Sequence, residues 1–132
     1  MKELIKSVKR KSLLLILSVY WGIIFIGTSL PGKSLKYIPQ YSDKLKHFAA
    51  YLILTILLYW FYLIKNKKND LTGKQIRFII ILTGGYGILD ELHQLLIPGR
   101  SCDVVDWLAD LAGIFFGLVI AKFWFAKKVI NA

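Results

Sequence analysis

Four apolar blocks fill most of this chain, and each is about the length of a membrane-crossing helix. The first runs from Leu13 to Leu30 without a charge, the second roughly from His47 to Ile64, the third roughly from Ile76 to Ile97 and the fourth roughly from Val104 to Ala126. About 20 mostly apolar residues cover the hydrocarbon core of a bilayer. A soluble bundle needs a polar stripe along each helix, and the first two blocks lack one. With 56% hydrophobic residues in 132, a water-soluble domain has too little interior to hide them. The expectation is one all-α domain over residues 1–132, a four-helix integral membrane bundle. No low-complexity segment or internal repeat appears.

The basic residues set the expected orientation. Lys and Arg number 18 against 8 acids, a net charge of +10. In a soluble chain that balance suggests nucleic acid; here it reads as topology and contact with anionic lipid. The N-terminus, the loop between blocks two and three (Lys65, Lys67, Lys68, Lys74, Arg77) and the C-terminal end together hold 13 of the 18. Lys33, Lys36, Lys44, Lys46 and Arg100 make up the rest. By the positive-inside rule both termini lie in the cytoplasm, and the loops Pro31–Lys46 and Pro98–Asp103 face outward. The first block has a basic start like a signal peptide, but it is long and no A-x-A site follows, so it reads as a retained span.

Acids follow the opposite pattern. Asp43, Asp90, Glu91, Asp103, Asp106 and Asp110 fall in the outer half, with His47, His93 and Arg100. Asp90 sits roughly 10 Å inside the outer boundary at helical rise. A carboxylate facing lipid at that depth costs on the order of 2–3 kcal/mol or more, so such groups turn inward and pair. Helical spacing aligns Asp43, His47 and Tyr51 on block two, Tyr86, Asp90 and Gln94 on block three, and Asp103, Asp106, Asp110, Gly113 and Gly117 on block four. Ala109, Gly113, Gly117 and Ala121 form a small-residue series that permits close helix contact. Pro98-Gly99 makes a turn that would hold Arg100 over the cluster.

The segments Asp90-Glu91-Leu92-His93-Gln94, Pro98-Gly99-Arg100-Ser101 and Asp106-x-x-x-Asp110-x-x-Gly113-x-x-x-Gly117 together resemble the VanZ-like family of small bacterial membrane proteins. Asp43-Lys44-x-x-His47-Phe48-x-x-Tyr51 also matches that family's N-terminal signature. The likeness covers roughly Trp21 to Gly117. Asp110 stands where many relatives have Asn. The resemblance implies a location in the bacterial cytoplasmic membrane and a link to low-level resistance to the glycopeptide teicoplanin.

These residues suggest a recess on the outer side, built from spans two, three and four and the Pro98–Asp103 loop. Its candidate acid–base groups are Glu91, Asp90, Asp106 and His47. Its candidate binding groups are Arg100, Gln94, Asp43, Lys44, Asp110, Tyr51 and His93. Arg100 and Lys44 suit a phosphate, Arg with its planar fork. The expected partner is membrane lipid, a lipid-linked wall precursor or a glycopeptide, and not nucleic acid. An enzyme acting on a lipid-linked phosphate and a non-catalytic scaffold pinned by a polar network are the alternatives. No cofactor or metal is expected: neither H-E-x-x-H nor C-x-x-C spacing occurs, though His93 lies i+3 from Asp90. Ser101 and Cys102 lie in no nucleophile elbow. No titratable chain continues inward past Tyr86, which argues against a proton relay. The aromatics Tyr20, Trp21, Trp60, Tyr62, Trp107 and Trp124 read as interface anchors.

Overall fold

The protein is described by a computed structural model covering residues 2–31, 40–66 and 70–130. Lys33, Lys36, Lys67 and Lys68, used for orientation, lie outside the described residues, as do the side chains of Lys2, Lys6, Lys9, Lys127 and Lys128. Among the described residues the order is α1 (Lys2–Thr28), α2 (Gln40–Asn66), α3 (Gly73–Gln94) and α4 (Val104–Ile130). Three of them, over Arg10–Thr28, Asp43–Asn66 and Val104–Phe125, are long and apolar enough to cross a membrane. The third block differs from the expectation: α3 has the length but carries Lys74, Arg77, Asp90 and Glu91, so it depends on its neighbours to shield those charges.

Local chemistry explains the ends. The basic stretch before Leu13 extends α1 to Lys2, since Lys and Arg are good helix formers. α3 starts at a capping box: Thr72 accepts from the Gln75 N–H, and the Gln75 side chain accepts from the Thr72 N–H (2.9 Å). It stops at Gln94, three residues short of the apolar block, because Ile97 precedes Pro98 and Pro disfavours the helical region before it. Gly99 then takes φ 76°, which only glycine adopts without strain, and the Arg100 N–H closes the turn onto the Ile97 carbonyl (3.1 Å).

The helices run up and down. At one end Ser29 meets His93 of α3, Lys44 and His47 meet Asp106 and Asp110 of α4, and Arg100 meets Asp43 of α2. At the other, Tyr59 donates to Asp70 and Tyr62 packs on Phe78. The Tyr59 hydroxyl, with the Leu71 N–H, holds the Asp70 carboxyl below its ordinary value. The tightest seam joins α2 and α4. On α4 the buried stripe is Asp106, Asp110, Gly113, Ile114, Gly117 and Ala121. A Cβ on Gly113 would strike the Phe48 carbonyl, and one on Gly117 would come within 2.8 Å of the Leu52 carbonyl. The backbones therefore touch, which is how helices associate in lipid without a hydrophobic drive. α1 buries Leu13, Leu17 and Ile24 and leaves Leu15, Ile23 and Ile26 exposed as a lipid-facing side.

Three expected interface aromatics serve as internal packing instead. The Tyr20 hydroxyl donates to the Ala50 carbonyl (3.1 Å), Trp21 meets Tyr86 edge-on at 5.1 Å, and the Trp107 indole donates to the Gly84 carbonyl (3.1 Å).

Gly113→Leu should lower the melting temperature in detergent, with a loss of about 1–3 kcal/mol or more from overpacking. Gly85→Ala is the control, because a Cβ there meets open space. It should gain roughly 0.5–1 kcal/mol from helix propensity. Equal melting of the two variants would contradict the backbone contact.

Candidate functional site

Six acids share one end of the bundle, and each is answered differently. Asp103 starts α4: its carboxylate accepts from the Val105 N–H (2.8 Å) and its carbonyl from Asp106 and Trp107, an N-cap. Its own N–H donates to Glu91 Oε2 (2.8 Å), so α3 holds the start of α4 in place. Lys44 reaches across from α2 and pairs with Asp103 and Asp106, both at 2.8 Å. That ammonium, together with the Val105 N–H, holds the Asp103 carboxyl below its ordinary 3.8. Arg100 pairs with Asp43 at 3.4 Å, and Lys46 lies 3.8 Å from the other Asp43 oxygen.

The three remaining carboxylates are buried and lack a cationic Lys or Arg among the described residues. The His47 Nδ1–H donates to Asp110 Oδ1 at 3.0 Å. Its Nε2 then faces Glu91 Oε1 at 3.9 Å. The 100° between Asp90 and Glu91 sends the first toward α1 and the second toward α2 and α4. Asp90 lies beside Thr28, whose hydroxyl donates instead to the Phe25 carbonyl (3.1 Å). Neither Asp90 oxygen has a hydrogen-bond partner among the described residues, nor does Asp110 Oδ2 or the hydroxyls of Tyr51 and Tyr86. Gly87 makes room for Asp110, since a Cβ there would sit 2.9 Å from Oδ2.

The candidate residues therefore divide. His47, Glu91, Asp106, Asp110, Gln94 and Lys44 meet across α2, α3 and α4; the Gln94 amide donates to Glu91 Oε1 at 3.4 Å. Tyr51 is fully buried one turn after His47, near Asp110 and Asp90. His93 turns away from this group: it bonds Ser29 Oγ at 3.1 Å and stacks on Phe25. Ser29 gives its proton to the Phe25 carbonyl (2.6 Å), so His93 Nε2 is the donor. The cluster of His47, Glu91 and Asp110 comes from three helices, and no linear spacing reveals it.

A cavity of about 390 Å³ lies between α1 and α2. Tyr20, Ile23, Ile24, Leu30 and Ala50 give it apolar walls, while Thr28, Asp43, His47 and Arg100 supply a polar end. This cavity differs from the recess expected among spans two, three and four: α1, α2 and Arg100 line it, and no described residue of α3 or α4 does. The Arg100 side chain is 8% exposed, and its Nε has no partner among the described residues.

The family model described as VanZ/LLP1 matches residues 6–125, and the chain belongs to that family. No curated protein and no solved structure matches it. Family and apolar helices together make it a VanZ-like membrane protein.

Asp103 offers a test of how the polar end is held. Asp103→Ala removes the cap and the ion pair and should cost about 0.5–2 kcal/mol, while Asp103→Asn keeps the cap and should cost less. The ion pair acts through a depressed carboxyl. Its stabilisation is full above the ordinary 3.8 and fades as pH falls through the lower folded value. Melting curves of wild type and Asp103→Asn should therefore differ at pH 7 and converge as pH falls below that range.

Proposed function

We propose that this VanZ/LLP1 protein uses its polar end, facing outward from the bacterial cytoplasmic membrane, to bind the phosphate of an envelope lipid or a lipid-linked wall precursor. By doing so it lowers susceptibility to glycopeptides such as teicoplanin. The carrying observation is Arg100: a largely buried guanidinium at the mouth of a cavity whose other walls are mostly apolar. That pairing suits an amphiphile, with acyl or prenyl chain against Ile23, Ile24 and Leu30 and an anion on the fork of Arg100. Arg100 holds Asp43 at only 3.4 Å, so a phosphate can compete for it. Outward orientation rests on the excess of Lys and Arg near the opposite end.

A second reading, hydrolysis or transfer at the bound phosphate, is favoured by Asp90. Asp90 does not itself line the cavity, but it lies beside Thr28, which does, and both its oxygens are unpartnered among the described residues. A buried carboxyl of this kind can hold a proton and deliver it to a leaving oxygen.

Cys102 is the sole cysteine, it is exposed, and it lies in the loop at the polar end. A membrane-impermeant maleimide should label it in intact cells; labelling only after permeabilisation overturns the outward orientation. Wild type, Arg100→Ala and Glu91→Gln at matched abundance should differ in teicoplanin susceptibility, with protection only in the wild type. Equal protection in all three defeats the binding model. Turnover of a labelled lipid phosphate that disappears in Asp90→Asn would establish the enzymatic reading, and binding without turnover would exclude it.

A further inference from the structure

We infer that His47 Nε2 and Glu91 hold one divalent cation of the zinc or manganese class, with Asp110 orienting the imidazole from its other nitrogen. One ligand atom from each residue lies within 4.8 Å of the others, and all three residues are buried. The inference does not rest on any lipid substrate.

The geometry separates the two imidazole nitrogens. Nδ1–H is committed to Asp110 Oδ1 at 3.0 Å, which fixes the tautomer and leaves the Nε2 lone pair free. That lone pair faces Glu91 Oε1 at 3.9 Å, too far for a hydrogen bond. Two ligands held at about 2.0–2.2 Å from one ion stand about 3–4 Å apart. Glu91 is itself oriented, since its other oxygen is anchored by the Asp103 N–H (2.8 Å). Orientation of ligands by such outer hydrogen bonds is the usual companion of a metal site.

A separate observation points to a missing cation. Lys44 is engaged by Asp103 and Asp106, and Arg100 by Asp43. Glu91 and Asp110 are then two buried carboxylates flanking a single imidazole, and Asp90 is a third buried carboxylate one residue from Glu91. Asp110 is fully buried, yet its Oδ2 has no partner among the described residues. The same holds for the Tyr51 hydroxyl, one turn along α2 from His47 and within the field of Asp110, Asp90 and Glu91. Uncompensated negative charge in so apolar a setting costs several kcal/mol per ion. A divalent cation would offset it. One imidazole with one carboxylate, the remaining positions left to water, is a nitrogen–oxygen donor set, which suits zinc, manganese or iron rather than the thiolate-seeking or all-oxygen ions.

The test uses the full chain purified in detergent, stripped with chelator, equilibrated separately with Zn²⁺, Mn²⁺ and Co²⁺, and desalted. Elemental analysis should find about one ion per chain, and Glu91→Gln and Asp110→Asn should bind at least tenfold more weakly, on the order of the loss seen when a metal's supporting shell is removed. Cys102→Ser should retain the ion, which separates the site from adventitious binding to the exposed thiol. Cobalt in the wild type should show weak visible bands without thiolate charge transfer, a readout that needs no variant to fold. Wild type that retains less than about 0.1 ion per chain with every metal, a thiolate band, or undiminished binding in both acid variants overturns the site. The buried charge would then be carried by protons. Lipid binding at Arg100 could survive any of these failures.

Discussion

Carboxylates placed between apolar helices need a counter-charge or a proton, and this constraint organises the polar end of the molecule. Lys44 answers two of them, Arg100 a third, and His47 a fourth. Lys44 and His47 cross from α2 to α4, and Arg100 ties the α3–α4 turn to α2, so the pairs also set how α2 and α4 lie against each other and against that turn. The Glu91 bond to the Asp103 backbone extends the same logic to the turn between α3 and α4. Remove the charges and the apolar surfaces would still associate, but a main restraint on helical register at this end would be gone. The glycine seam supplies the complementary restraint, because Gly113 and Gly117 allow α4 to sit against the α2 backbone at one height only.

That division of labour explains what could be read from the chain. Hydropathy located all four helices, and the i, i+4 stripes correctly marked which faces of α2 and α4 turn inward, because both depend only on local periodicity. The likeness of Asp90-Glu91-Leu92-His93-Gln94 and Pro98-Gly99-Arg100 to the VanZ-like pattern agrees with the family match. Pairing was less legible. Arg100, His47 and His93 were equal candidates to answer the acids, yet Arg100 takes Asp43, Lys44 takes Asp103 and Asp106, and His93 goes to Ser29 on α1. Such choices depend on the angles between helices, which no single-helix pattern encodes. Thr28 and Tyr20 were missed for a similar reason: α1 carries no charge in its apolar block, so nothing in it advertised a role at the polar end.

α1 is also the helix whose removal would change the site least in charge and most in shape. It contributes hydroxyls and apolar side chains, while the acids and the bases that answer them come from α2, α3, α4 and the connecting turn. The consequence is a recess with two chemistries. Asp43, Lys46, His47 and Arg100 make one side polar, and the side toward α1 is apolar and bordered by Ile23 and Leu30, which are exposed. A small polar solute gains little from the apolar side, and a plain hydrocarbon gains nothing from Arg100. A molecule with a charged head joined to a chain gains from both, and in a membrane such molecules are at high local concentration. A volume of about 390 Å³ has room for a head group and the first few carbons of a chain rather than a whole lipid. The remainder would lie along the exposed face of α1, where the surrounding bilayer accommodates it without any further contribution from the protein.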